Sequence, residues 1–241
     1  MKKILLSLAL SMMLISTSQA AFVTYDEALL DAVYSQAILK TYENDETYVV
    51  GGEDYSLDIR FNPTVELVAP DFLNVDSSAK LSGLWGNHFG SSKTVNAFFI
   101  DTLSFCGGSP SNVAGCATVG GAGGNKIVVE SQQAANFPVL LAHELGHNLN
   151  MIHNDAVDGD LMKYDTPNST NINFDSFIDY VSVFPNAVSG ETTPPSYGPV
   201  QGNFQDGFFV EITPVLVTAS AVPVPASVFL MMSGLGFLAA A

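Results

Sequence analysis

Residues 143–153 read His143-Glu144-Leu145-Gly146-His147-Asn148-Leu149-Asn150-Met151-Ile152-His153. The first five of these residues form an H-E-x-x-H pattern within the segment 137–149, whose apolar residues recur at helical spacing. Histidines four residues apart lie one turn apart on the same helix face, where both imidazoles can bind one tetrahedral zinc ion. The pattern therefore predicts a helix that carries two metal ligands.

Glu144 lies beside the first predicted ligand and can reach a water molecule on the metal more easily than the metal itself. Zinc lowers the pKa of a bound water toward ~7, and a nearby carboxylate can accept its proton and later pass it to a leaving amine. Glu144 is therefore the candidate general base. The five-residue pattern by itself also fits a helix with two solvent-facing histidines that binds no metal.

The residues that follow supply a third candidate ligand. His153 comes ten residues after His143, and Asn148-Leu149-Asn150 between them is typical of a helix end followed by a turn. Such a turn requires a left-handed backbone, and asparagine adopts that conformation more readily than other non-glycine residues. A methionine, Met162, follows nine residues beyond His153.

Residues 143–164 resemble the signature of the metzincin metallopeptidases, H-E-x-x-H-x-x-G-x-x-H followed by a Met-turn. The sequence of residues 143–155 is similar to that of the adamalysin (reprolysin) branch. Asn150 stands at the glycine position, and Asn154 separates His153 from the acidic Asp155. The resemblance implies an α+β fold over residues 21–186. In this metzincin-like catalytic domain a twisted mixed β-sheet packs with helices, and the active-site helix carries the H-E-x-x-H motif.

Carried over by position, the resemblance makes His143, His147 and His153 the ligands of Zn²⁺ and Glu144 the general base. Met162 becomes the apolar floor beneath the metal. The implied reaction is hydrolysis of peptide bonds in a protein or peptide substrate, with the cleft running along an edge strand that pairs with extended substrate.

Two features near the third ligand have more than one interpretation. Tyr164 matches a tyrosine that astacins and serralysins use as an extra ligand and transition-state donor, and a packing tyrosine is the alternative. Four aspartates lack the spacing of an EF-hand calcium loop and are expected to be solvated loop acids. They are Asp155, Asp158, Asp160 and Asp165.

Other catalytic classes fit the sequence less well. The fourth histidine, His88, is expected to be a structural or surface residue, and no G-x-S-x-G pattern supports a serine triad. A gluzincin-type peptidase would take a downstream acid such as Glu191 as its third ligand. The remaining alternative is a surface or matrix binding protein that keeps a metzincin fold without turning over substrate.

The first 20 residues have the layout of a secretory signal peptide. Lys2 and Lys3 precede an apolar run, and small residues at Ser18 and Ala20 predict cleavage after Ala20. Export into an oxidising compartment predicts a disulfide between Cys106 and Cys116, the two cysteines of the chain.

Residues 222–241 form an uncharged apolar tail behind a Pro-x-Pro motif at Pro223 and Pro225. The tail resembles the PEP-CTERM sorting signal of Gram-negative bacteria, which an exosortase is thought to cleave, with Val224 where the motif usually has Glu. The resemblance implies export to the cell surface or beyond, with transient membrane attachment. A simple membrane anchor and a tail packed on the protein surface are the alternatives.

Composition limits the partners. Eight basic residues stand against 24 acidic ones, a formal net charge of −16, which disfavours nucleic acid and anionic membrane surfaces. Apolar residues make up 47% of the chain and charged residues 13%, a balance typical of a packed globular core rather than a disordered or highly charged scaffold.

The remaining pattern predicts a helix that begins at a Thr24-x-x-Glu27 capping box and extends to about Tyr42. Strands are expected at 55–61, 95–100 and 127–130, with a turn at the glycine cluster 120–124. A further helix is expected at 173–183. Residues 187–221 are rich in Gly, Pro, Ser and Thr and are expected to be a linker before the tail.

Overall fold

The computed structural model describes residues 21–35, 39–43, 46–50, 57–110, 113–119, 124–149, 151–153, 160–163, 170, 199–203 and 207–219. The helices are α1 (Glu27–Tyr34), α2 (Ser78–Trp85), α3 (Ser131–Asn136) and α4 (Leu140–Asn148), with a 3-10 turn at Pro70–Phe72. The strands are β1 (Leu39–Glu43), β2 (Glu46–Val50), β3 (Leu57–Phe61), β4 (Val65–Val68), β5 (Asn74–Val75), β6 (Val95–Ile100), β7 (Thr102–Leu103), β8 (Phe105–Cys106), β9 (Ser109–Pro110), β10 (Gly115–Ala117), β11 (Lys126–Glu130), β12 (Val200–Asn203) and β13 (Gly207–Thr218).

A seven-stranded mixed sheet organises the fold around β13. One edge of β13 pairs with β12 and then with β6, and the opposite edge pairs with β3 and then with β4. Beyond β6 the order continues with the parallel strand β11 and the antiparallel strand β10. Strand β10 therefore lies at an edge of the described sheet. The architecture is a mixed α+β fold, in agreement with the predicted class.

Buried side chains cover both faces of the sheet, because successive side chains along a strand point to opposite faces. On one face Val95, Ala97 and Phe99 of β6 belong to a cluster with residues of α1, α3 and α4. On the other face Phe98 and Ile100 pack in a second cluster with residues of α2. All six residues of β6 are buried, and five of them are apolar, as is typical of a central strand covered on both faces; the exception is Asn96.

Helix α4 lies inside the segment predicted to be helical but begins three residues later. Phe137 precedes Pro138, and a residue before proline is disfavoured in the helical region, so it adopts a non-helical backbone (φ −125°, ψ 84°). The helix therefore begins at Leu140, after the short helix α3 has ended. All nine residues of α4 are buried, so the helix that bears the H-E-x-x-H motif lies within the core.

The predicted helix from Thr24 to Tyr42 is wrong at both ends. Asp26, not Thr24, is the N-cap, because its carboxylate accepts a hydrogen bond from Leu29 N at 3.0 Å. The helix ends at Tyr34, and Leu39–Glu43 forms β1, which pairs antiparallel with β2. Backbone pairing with β2 outweighs the helical spacing of the apolar residues in this short stretch.

The predicted linker at 187–221 is wrong for β12 and β13. Strand β13 is 12 residues long and lies at the centre of the sheet. Phe208, Val210 and Ile212 alternate as buried residues, but the Gly, Pro and Ser residues before them dominate the composition of the segment. The fold that contains α4 therefore extends past the predicted boundary at residue 186.

The strands predicted at 95–100 and 127–130 are present as β6 and β11, and β3 occupies the end of the strand predicted at 55–61. The predicted disulfide is confirmed: Cys106 of β8 is bonded to Cys116 of β10. No helix among the described residues is long and apolar enough to cross a membrane. The signal peptide, the apolar tail and the helix predicted at 173–183 lie outside the described residues.

Candidate metal centre

The three histidines predicted to bind metal converge on one point. His153 Nε2 lies 3.2 Å from His143 Nε2 and 3.1 Å from His147 Nε2. The ligand atoms of all three lie within 4.8 Å of one another. Two nitrogen ligands of a tetrahedral ion with metal–nitrogen distances of about 2.0–2.1 Å are separated by about 3.3 Å. These residues could therefore hold one metal ion.

Two of the imidazoles are oriented by backbone carbonyls. His143 Nδ1 lies 2.7 Å from the oxygen of Leu161, and His147 Nδ1 lies 2.8 Å from the oxygen of Met151. Because a carbonyl only accepts hydrogen bonds, each Nδ1 must carry the proton and donate it. Each Nε2 then keeps its lone pair directed at the shared point, which is the tautomer that a metal ligand requires.

Burial keeps these imidazoles neutral. It lowers the pKa of His147 to about 4, with a further contribution from the positive charge that His143 would carry. The pKa of His143 is also lowered, chiefly by burial and against the effect of its bond to Leu161. His143 and His147 are buried and His153 is exposed, so the cluster opens to solvent on the side of His153. Neutral, preoriented imidazoles bind a cation without first losing a proton.

Glu144 faces the edge of the sheet rather than bulk solvent. Its side chain is buried, and desolvation raises its pKa to about 8. A Cβ atom placed on Gly115 of β10 would lie 2.8 Å from Glu144 Cδ, which is closer than real Cβ atoms approach. The edge strand therefore covers the candidate base, and the absence of a side chain at position 115 leaves it room.

Long-range contacts fix both ends of α4. The Tyr34 hydroxyl of α1 is fully buried and donates to the carbonyl oxygen of Ala142 at 2.6 Å. At the other end, Asn148 Nδ2 donates to the oxygens of Thr118 and Lys126 at 2.8 and 3.1 Å. Helix α4 is thus connected to α1, to β11 and to Thr118, the residue that follows β10.

A turn at residues 160–163 contacts the histidine cluster through His143. Asp160 is buried, and its Oδ1 accepts a hydrogen bond from Met162 N at 2.9 Å. The expectation that Asp160 is a solvated acid is therefore wrong, since its carboxylate is used to close the turn. This turn presents the Leu161 carbonyl to His143.

Met162 is fully buried against the helix at Gly146. A Cβ atom on Gly146 would lie 2.5 Å from Met162 Sδ and 3.4 Å from Met151 Sδ. Gly146 precedes His147 directly, so the thioether packs against the helix turn that carries His143 and His147.

Several predicted site residues lie outside the described residues: Asn150, Asp155, Asp158, Tyr164, Asp165 and Glu191. His88 is exposed, with Nε2 2.6 Å from the oxygen of Ser91, which agrees with its prediction as a surface residue. Sequence reasoning missed Tyr34, Gly115 and Asn148, whose roles depend on partners at least 22 residues away. Asp160 had a recognisable signal, because an aspartate two residues before a turn amide commonly caps it.

Comparison with known proteins identified no matching family model, no matching curated protein and no matching solved structure.

Proposed function

We propose that the protein is an exported zinc-dependent endopeptidase with a metzincin-like catalytic domain. The observation that carries this proposal is the convergence of the Nε2 atoms of three histidines, two of which lie on the same helix as the buried Glu144. Three imidazoles with one further position open are the donor set of many catalytic zinc sites, whereas structural zinc sites commonly fill all four positions with protein ligands. A site with a carboxylate beside the first ligand fits hydrolysis better than a purely structural role.

The residues present fit zinc in their chemistry as well as in their spacing. Neutral imidazole nitrogen is a preferred ligand of Zn²⁺, and hydrogen bonds from each Nδ1 to a carbonyl increase the basicity of the opposite nitrogen. His143 and His147 both have such a bond. When bound, zinc supplies a Lewis acid for the peptide carbonyl and lowers the pKa of a water toward ~7.

The role that we propose for Glu144 is to move one proton. Its carboxylate accepts the proton of the attacking water and delivers it to the nitrogen of the leaving amine. Burial raises the pKa of Glu144 to about 8, which favours the protonated form in the metal-free protein. A dication held by the neighbouring imidazoles favours the ionised form that a base requires.

Strand β10 offers a surface for an extended peptide. One edge of β10 pairs with β11, and within the described residues no strand pairs with its other edge. Gly115 of this strand lies against Glu144, so a peptide added along the open edge would pass close to the candidate base. Strand addition provides backbone hydrogen bonds that do not depend on the peptide sequence.

Export is part of the proposal. The disulfide between Cys106 and Cys116 supports it, because such bonds persist in oxidising compartments outside the cytosol. The predicted signal peptide at 1–20 would direct the chain across the inner membrane, and the tail at 222–241 would attach it transiently until an exosortase cleaves it.

The test uses the chain from Ala21 to Ala241, purified in mild detergent, stripped of metal and titrated with zinc. We expect one zinc per chain and chelator-sensitive hydrolysis of casein. Glu144→Ala should bind the same amount of zinc and lose hydrolysis. Zinc binding without cleavage of any protein offered would favour the binding-protein alternative, and a folded chain that binds no zinc would contradict the proposal.

A further inference from the structure

Ala21, the residue that follows the predicted cleavage position, is buried. Ala21 is 8% exposed, and its backbone N–H donates a hydrogen bond to the carboxylate of Asp101. The next amide, Phe22 N, donates to Ser131 Oγ at 3.0 Å. The start of the predicted mature chain is therefore held by two polar side chains rather than left in solvent, which is unusual for a chain terminus.

These two side chains lie together because of the sheet. Asp101 follows β6 and Ser131 follows β11, and the last residues of these parallel neighbours, Ile100 and Glu130, are paired. The segment at Ala21 thus crosses the carboxyl ends of two central strands. Ser131 is also the first residue of α3, which leads directly to α4 and the three-histidine cluster.

One carboxylate oxygen of Asp101 lacks a hydrogen-bond partner among the described residues. This atom, Oδ1, is buried. The ion pairs found in the described ranges join Arg60 to Asp58 and Lys80 to Asp76, and neither includes Asp101. Burial raises the pKa of Asp101, as expected for a carboxylate that lacks a compensating cation.

The neighbouring carboxylate does not share this deficiency. Glu130 Oε1 accepts a hydrogen bond from Leu103 N at 2.6 Å, and Gln133 donates to the same carboxylate. Of these two acids, Asp101 is therefore the one with a carboxylate oxygen that has no hydrogen-bond partner among the described residues. A cation with more than one N–H, placed where Ala21 N now lies, would satisfy it.

We propose that cleavage after Ala20 creates this cation, so that the new α-ammonium of Ala21 forms an ion pair with Asp101 and completes the fold around the metal-binding helix. Cleavage adds one water across the peptide bond: the Ala20 carbonyl carbon gains the hydroxyl, and the Ala21 nitrogen takes up protons to become an ammonium group. One amide N–H then becomes three donors with a positive charge, enough for both carboxylate oxygens. The inference rests on the predicted cleavage and not on the peptidase activity.

The test is a double-mutant cycle on the metal-free and zinc-loaded chain 21–241. The chain is produced with a free Ala21 amine by removal of an N-terminal fusion, and in a second form with that amine acetylated. Each form carries either Asp101 or the substitution Asp101→Asn. Asp71→Asn removes an exposed carboxylate and is the matched control.

With the free amine, we expect Asp101→Asn to lower Tm by about 4–8 °C, because it removes one partner of a partly buried pair. In the acetylated chain the same substitution should change Tm by less than about 2 °C. The α-amine, followed by NMR after ¹³C-methylation, should have a pKa above the usual ~7.7–8.0, and Asp101→Asn should return it to that range.

Three results would overturn the proposal. The first is an exported protein whose sequenced N-terminus is not Ala21. The second is an equal effect of Asp101→Asn in the free and acetylated chains, and the third is an ordinary α-amine pKa in the free chain. None of these measurements uses peptide hydrolysis, so failure here and failure of the proposed function are distinguishable.

Discussion

Gly115 lies so close to Glu144 that a Cβ atom at position 115 would be 2.5 Å from Glu144 Oε1 and 2.8 Å from its Cγ. The two residues are brought together by the packing of α4 under β10 and β11. Asn148 reinforces this packing through its hydrogen bonds to Thr118 and Lys126. The absence of a side chain at position 115 therefore allows the carboxylate of Glu144 to occupy its observed position.

Gly115→Ala should reduce casein hydrolysis by about 10-fold or more while zinc binding remains close to one per chain, since displacement of a catalytic group by ~1 Å can cost up to about 100-fold. The three heavy atoms nearest to the added methyl group all belong to Glu144, so Glu144 is the residue that must move first. The measurement is kcat and KM alongside zinc content, with a loss expected in kcat.

Ala117→Ser is the matched control, because it adds one atom two residues further along the same strand. It should keep activity within about threefold. Equal losses of activity in the two variants would mean that any change of β10 disturbs the site, which would remove the special role of Gly115.

The four histidines of the chain provide an internal comparison for the metal site. His143→Ala and His147→Ala should each weaken zinc binding by more than about 100-fold, exceeding the ~10–100-fold typical of losing a residue that only orients a ligand. His88→Ala should bind zinc as the unaltered chain does, because His88 is exposed and bonded to Ser91. Competition with a chromophoric chelator measures all three, and a large effect at His88 would contradict the assignment.

Asp160 supports the orientation of His143 through the turn at residues 160–163. Its carboxylate accepts from Met162 N, and the turn that it closes presents the Leu161 carbonyl to His143 Nδ1. Asp160→Ala should weaken zinc binding by about 10–100-fold. Asp160→Asn keeps an oxygen acceptor and should recover most of that loss. If the two variants bind zinc equally well, the hydrogen bond to Met162 is not what orients His143.

The cluster of three histidines could be predicted from sequence because its information is local. His143, His147 and His153 fall within 11 residues, and the helical repeat alone places the first two on one face. Helix α4 itself could be predicted from the same segment, and its start was displaced only by the effect of Pro138 on Phe137. Strand β6 could be predicted because five of the six residues from 95 to 100 are apolar.

The surroundings of the site could not be predicted because their information is distant in sequence. The Tyr34 hydroxyl reaches Ala142 across 108 residues, and Gly115 meets Glu144 only because β10 and α4 contact the same strand. No spacing rule connects such pairs. The central position of β13 was missed for a related reason: its parallel partners β3, β4 and β6 all lie more than 100 residues earlier in the chain.

The stability of the metal-free protein should fall as the pH rises from 6.5 to 8.5. The pKa of Glu144 in the folded state, about 8, lies above its ordinary value of 4.5. The folded state therefore holds a proton that the unfolded state has released, and this contribution is lost as the pH rises through the folded pKa. The lowered pKa values of His143 and His147 act in the opposite direction, but only below about pH 6.5.

Glu144→Gln cannot lose that proton, so its Tm should change less than that of the unaltered chain across the same interval. Thermal unfolding followed by circular dichroism at several pH values in the presence of chelator measures the difference. His88→Ala should keep the full dependence on pH. Parallel curves for Glu144→Gln and the unaltered chain would show that Glu144 is already ionised in the folded, metal-free protein.

Truncation within β13 tests whether the C-terminal strand belongs to the folded unit that contains α4. A chain that ends at Pro214 loses Val215 and Val217, which are both fully buried, and each contributes about 1.5–3 kcal/mol through burial. It also loses the entire pairing of β13 with β4. Because a domain of this size is stable by only about 5–15 kcal/mol, this chain should be largely unfolded at 25 °C and bind zinc weakly.

A chain that ends at Ala219 keeps the whole strand and should retain a cooperative unfolding transition and one zinc. Equal unfolding curves for the two chains would place residues 215–218 outside the folded unit and restore the boundary that composition alone suggests.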